Sequence, residues 1–173
     1  MQRPPEQCDW LLNAWRTNNR VTAFLIENLS DALWVTAVPG APRRTVRMIA
    51  GHMHNARCMW IKTLGSDHGI VTPRIVNRHK VGRQELNLAL GLSSRGIADL
   101  LKLGIERGGT IPPSSSYAWR NLPLDVGHLL TYFVAHEGHH RGQIVMIARQ
   151  VDQRLPVEVT GGLWLWSKRS KEK

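Results

Sequence analysis

Three histidines, a glutamate and an arginine fall within the ten residues AHEGHHRGQI, Ala135 to Ile144. The stretch follows the apolar run LLTYFV and leads into IVMIA, where a helix would bury one face. Residues four apart on an α-helix leave the same face, about 40° from each other, so His136 and His140 can address one ligand together. A neutral imidazole in a protein interior needs a polar partner. A divalent metal ion supplies one to both, at about 2.0–2.1 Å per bond. His139 lies about 100° round the helix from His140, so it is expected to be exposed or to stand behind the site.

A third donor is available upstream, in GHMHNARCMW. His52 and His54 are about 200° apart on a helix, so only one of them can face the core. His52 falls between Ile49 and Ala56 on the apolar side, whereas His54 groups with Ala50, Arg57 and Cys58. His52 is therefore the expected ligand, with His54 as the alternative. Three neutral nitrogens leave a divalent ion its full charge and at least one open position, the arrangement of catalytic sites. Such an ion can lower the pKa of bound water to about 7 or deprotonate a thiol. It can equally act as a plain cross-link between two helices, with no turnover. Gln143 is placed to orient the histidines from behind. Arg141 is expected to form an ion pair or to contact an anionic cofactor. His68, His79 and His128 fall on loops or near a helix start, where surface roles are expected.

His136, Glu137 and His140 also spell His-Glu-x-x-His, in which the glutamate is the general base of a zinc protease. That reading needs a third ligand. Position 146, where one protease class carries a histidine, is Met; Glu158, at the distance another class would need, lies beyond Pro156. No strand precedes the motif, and its angle turns Glu137 away from anything His136 binds. The protease is the weaker reading.

The elements that must carry these residues are helical. Leu11, Leu12, Trp15, Val21, Phe24, Leu25 and Leu29 mark a first helix over about 8–29. Ile49, Met53, Ala56 and Trp60 mark a second over about 45–64. Residues 66–82 read as a crossover loop. A third helix spans about 83–106, with Gly91, Ser93, Ser94 and Gly96 weakening its middle and leaving a break there open. The fourth spans about 124–150, with Asp125 at its start. The tail 151–173, with its alternating Leu163, Trp164, Leu165 and Trp166, reads as an extended piece. The expected fold is an all-α four-helix bundle with a long crossover connection, one domain over 1–173.

The patches HEGHHRGQI and GHMHNARCMWI resemble the DinB/YfiT-like family. Arg141, Gly142 and Gln143 follow His140 as in that family's His-Arg-Gly-Gln stretch. Trp60 follows His52 by eight residues, as in its second-helix pattern. The LWLW of the tail is similar as well. The resemblance implies a bundle with a long crossover and a metal held by one histidine of the second helix and two of the fourth, here His52, His136 and His140. It implies a homodimer and a small-molecule substrate. Some relatives transfer or isomerise substrates with low-molecular-weight thiols, so it also implies an S-transferase that uses such a thiol, beside the metal-dependent hydrolase that a metal-bound water would allow. Zinc, nickel, iron and manganese all suit such a site. Many members have no assigned activity, so a non-catalytic binding or stress-response module stands as the alternative.

Composition narrows the rest. The chain of 173 residues carries a net charge of +10. Its cations are scattered, and no basic stripe interleaves with aromatics as a stacking platform for single strands, so nucleic-acid binding is not expected. No apolar run reaches the ~20 residues of a membrane span, and MQRPPEQCDW lacks a signal-peptide core; a cytoplasmic protein is expected. Cys8 and Cys58 form no Cys-x-x-Cys pair and read as inert apolar residues. Most of the seven tryptophans are expected in the core or at a subunit contact. Tyr117 and Trp119 are expected at a pocket mouth.

Overall fold

A computed structural model describes residues 5–115, 117 and 122–172, with backbone alone for 5–8. Four long helices dominate it: α1 (Pro5–Glu27), α3 (Val46–Gly65), α4 (Arg83–Glu106) and α5 (Val126–Gln150). Between the first two lie a short α2 (Asp31–Val35) and a hairpin of β1 (Ala37–Val38) and β2 (Ala41–Thr45). Pro39 and Gly40 make the hairpin turn, and Gly40 takes φ +75°, a backbone angle open to glycine. Two short helices, α6 (Val157–Gly162) and α7 (Trp166–Arg169), end the chain. Side chains close the helix starts: Ser30, Thr45 and Asp125 each accept the backbone N–H three residues on. Among the described residues no helix is long and apolar enough to cross a membrane.

Each of the four long helices passes through two apolar clusters with a polar layer between them. One cluster holds Leu25, Ile26, Ile49, Met53, Leu86, Leu90, Ile144 and Ile147. The other holds Trp15, Trp60, Leu64, Ile97, Leu101, Leu129 and Phe133. The order in which the chain meets them fixes its direction. α1 and α5 run from the second cluster to the first, and α3 and α4 run the opposite way. α3 and α4 are therefore parallel neighbours, and residues 66–82 must return the length of the bundle. Ile70 packs on Gly65 at the end of α3, while Val76 and Arg78 pack on Gly51 near its start. Asn55 pins the return by accepting from the Val76 N–H and donating to its carbonyl, at 2.9 and 3.0 Å. This is the long crossover of the expected bundle.

The four long helices form the expected bundle, and the connection between α1 and α3 adds α2 and the hairpin. The break left open in α4 does not occur, and the reading of the tail is corrected. α4 is continuous through Gly91 and Gly96. The tail is helical rather than extended: Gly162 lies against Phe24, the Arg169 guanidinium covers that ring at 4.0 Å, and Trp164 points to solvent. Packing explains α4. A Cβ on Gly96 would lie 2.6 Å from Ile61, and one on Gly104 would lie 2.5 Å from Val126 and 2.8 Å from Ile111. These glycines let neighbouring elements approach, and the contact offsets their poor helix propensity. Gly104→Ala is therefore expected to cost about 1–3 kcal/mol by overpacking. A Cβ on Gly91 would meet nothing within 4 Å, so Gly91→Ala should stabilise by about 0.5–1 kcal/mol. Urea midpoints of the two variants check both signs.

Candidate metal centre

The polar layer splits into two parts, one half-buried and one sealed. In the first, α3 contributes His52 and α5 contributes His136 and His140, the two elements being antiparallel neighbours. The His136 Nε2 lies 3.2 Å from the His52 Nε2 and 3.1 Å from the His140 Nε2. One donor atom from each of the three lies within 4.8 Å of the others. Two nitrogens bound to one tetrahedral zinc at about 2.05 Å stand about 3.3 Å apart, so both short contacts suit a shared ion. Hydrogen bonding alone accounts poorly for this geometry. A ring nitrogen carries either one proton or one lone pair, and the His136 Nε2 faces two others at once.

Tautomers fit as well. The Gln143 Oε1 accepts from the His140 Nδ1 at 2.8 Å. That places the proton on Nδ1 and leaves Nε2 with a lone pair aimed at the other histidines. Tyr132 stacks on His136 with 15° between the rings. Burial lowers the pKa of all three histidines. For His52 it is joined by His140, His136, Arg78 and Arg44, and the value falls to about 4. The site is thus neutral, and ready for a cation, at ordinary pH.

The sequence model of the DinB family matches residues 1–160. The chain belongs to the DinB family. No curated protein and no solved structure matches it. The likeness seen in HEGHHRGQI and GHMHNARCMWI thus extends over nearly the whole chain, and this DinB-family member assembles the expected three histidines.

The remaining polar residues have other partners. His54, the alternative ligand, is fully buried on the far side of α3. Its Nε2 donates to the Arg74 carbonyl at 2.9 Å, and its Nδ1 faces the Ser93 hydroxyl at 3.0 Å. It fastens the crossover, and it takes no part in the cluster. Cys58 packs beside it, buried, its thiol pushed up to about 11 by desolvation, so it is inert as expected. The side chain of Cys8 and all of Trp119 lie outside the described residues. Tyr117 packs on the second apolar cluster and donates to the Leu122 carbonyl. His139 and His79 are exposed, His128 pairs with Asp125, and His68 meets the Pro112 carbonyl.

Glu137 settles the protease motif. It is fully buried, turned from the histidines toward α1 and α3. Its carboxylate accepts from the Arg57 Nε at 2.6 Å and Nη2 at 2.9 Å, from the Asn18 Nδ2 at 2.9 Å and from the Thr22 Oγ1 at 2.8 Å. Arg141 stands 3.7 Å away and donates to Asn18 and Thr22. A carboxylate that accepts four hydrogen bonds in a sealed layer, on the side of α5 away from the histidines, cannot serve as a general base there. Glu158 is exposed on α6 and completes no ligand set. Sequence reasoning assigned Arg141 correctly to an ion pair as one of two roles, and it missed Arg57 altogether. The available signal was on the first helix: Asn18 and Thr22 interrupt the 15-18-22-25-29 apolar stripe and announce a buried polar partner.

Acid should unfold the metal-free protein in two stages. Burial holds the histidine pKa values below the ordinary 6.5. Their share of stability is complete above that pH and is lost as pH falls below it, for His52 down to about 4, because the unfolded chain takes up protons first. Glu137 follows. Desolvation alone would raise its pKa, but Arg57, Arg141 and Thr22 outweigh burial and bring it below 4.5. Its contribution disappears only beneath that value. The urea midpoint is expected to decline from pH 6.5 downward and more steeply below 4.5.

Proposed function

We propose that this chain holds a divalent metal ion, zinc, nickel, iron or manganese, on His52, His136 and His140, and acts with it on a small molecule. The double approach to the His136 Nε2 carries the reading. The reaction we favour is hydrolysis or transfer to sulfur with a low-molecular-weight thiol. An ion so held would supply Lewis acidity and a nucleophile, from water or thiol, at neutral pH. The chain's own residues would do the rest. Gln143 fixes the His140 tautomer, Tyr132 limits tilting of the His136 ring, and no carboxylate among the described residues completes the shell.

The arrangement argues against a mere cross-link. α3 and α5 are already tied by the buried Arg57–Glu137 pair, so a metal is not required to join them. Nickel- or cobalt-substituted protein tests the reading. A thiol such as cysteine should add a sulfur-to-metal charge-transfer band to its spectrum, and metal removal should shift the melting temperature only modestly. A large shift with no response to thiol would favour the non-catalytic module. We also propose a homodimer. The exposed Trp164, Val157 and Met146 beside the tail support it, and sedimentation measures it.

A further inference from the structure

β2, the start of α3 and the crossover border an open cleft of about 440 Å³ lined by Ala41, Pro42, Arg43, Arg44, Met48 and Arg78. Met48 is one helical turn before His52 on the same face of α3. Arg78 reaches the cleft because position 51 is glycine: a Cβ there would lie 3.1 Å from the Arg78 Cγ. Met48 thus joins the cleft to the face of α3 that carries His52.

The three arginines are exposed, and none forms an ion pair or a side-chain hydrogen bond among the described residues. The local sequence offers them no counter-charge. No acidic residue occurs between Asp31 and Asp67, or between Asp67 and Glu85. The single acid of α5, Glu137, is sealed between Arg57 and Arg141. Like charges held around one concavity repel each other and focus the field of the cleft on an incoming anion. Guanidinium groups match the oxygens of carboxylate and phosphate in paired hydrogen bonds. Ala41, Pro42 and Met48 add an apolar wall for a short carbon skeleton.

We propose that this arginine cleft is the binding site for the anionic end of a small carboxylate- or phosphate-bearing molecule whose other end reaches the three histidines. The inference names the substrate class for the proposed metal site and rests on that reading for the far end of the ligand. The cleft itself is independent of the metal. A nucleic-acid backbone fits less well, since the arginines surround a concavity and do not line a stripe.

Calorimetric titration of the full chain, metal-free and zinc-loaded, with inorganic phosphate and with succinate tests it. At low salt at least one of the two should bind the metal-free chain. Tighter phosphate identifies a phosphate ester and tighter succinate a carboxylate, and either supports the cleft. Arg44→Met and Arg78→Met should each weaken binding about tenfold, while the equally charge-reducing Arg107→Met, at the end of α4, leaves it unchanged. His136→Ala should lose metal and still bind the anion, so failure of the metal site and failure of the cleft are separable. The proposal is overturned if neither anion binds, or if the three arginine variants weaken binding alike. It is also overturned if duplex DNA competes for the site with a steep salt dependence.

Discussion

His136→Ala and His140→Ala are each expected to lower the affinity for a divalent metal by more than about a hundredfold. Loss of a group that only supports a ligand already costs about 10–100-fold, and these two side chains offer the donor atoms themselves. His52→Ala should do the same from the other helix. His54→Ala should not: its ring faces Arg74 and Ser93, so its loss should loosen the crossover and lower stability with the metal affinity kept. Gln143→Ala stands between these cases, releasing the His140 Nδ1 proton from its acceptor and weakening binding about tenfold. Competition titration with a chromophoric chelator measures all five. An unchanged affinity in His136→Ala and His140→Ala would remove the site, whatever the family membership.

The choice of His52 over His54 was legible because helical phase alone separates them. One side of α3 carries Ile49, Met53 and Ala56 beside His52, and the other turns His54 toward the crossover. The pairing of His136 with His140 rested on the same argument, and so did the turning of Glu137 away from them. Phase does not say what waits on the other side. That Glu137 meets Arg57 depends on which helices are neighbours, and the parallel placement of α3 and α4 is set by the path of residues 66–82. A loop of that length can double back or run on. The tail misled for a different reason. Leu and Trp alternate in its letters, but burial does not: Leu163 packs on the first cluster while Trp164 is 83 % exposed. Period-two hydrophobicity marks a strand only where one face is covered. The arginine cleft was present in the sequence as Arg43, Arg44 and Arg78. The first two lie far along the chain from the third, and only the hairpin and the glycine at position 51 bring them together.

Glu137→Ala is expected to be the most destabilising single change in the molecule, at about 3–5 kcal/mol. Its carboxylate is the one negative charge between Arg57 and Arg141 in a layer closed above and below by apolar clusters. Truncation leaves the buried Arg57, itself 1 % exposed, without its counter-charge. A melting temperature lower by about 10 °C follows for a chain of this size. Glu137→Gln preserves the shape and removes the charge, so it should recover only part of the loss. Arg57→Leu should be nearly as harmful. The double replacement Arg57→Leu with Glu137→Leu should cost clearly less than the two singles together, because it removes both charges at once. These expectations separate two roles for the same residue. A general base on zinc could be changed to glutamine with stability intact and activity lost. A buried counter-ion cannot, and its loss reaches the histidines through the rotation of α5. His136 and His140 face His52 because Glu137, one residue along the helix, is held from the opposite side by Arg57, Asn18 and Thr22. Glu137→Gln studied below its melting temperature should therefore keep one metal per chain, bound about 10–100-fold more weakly.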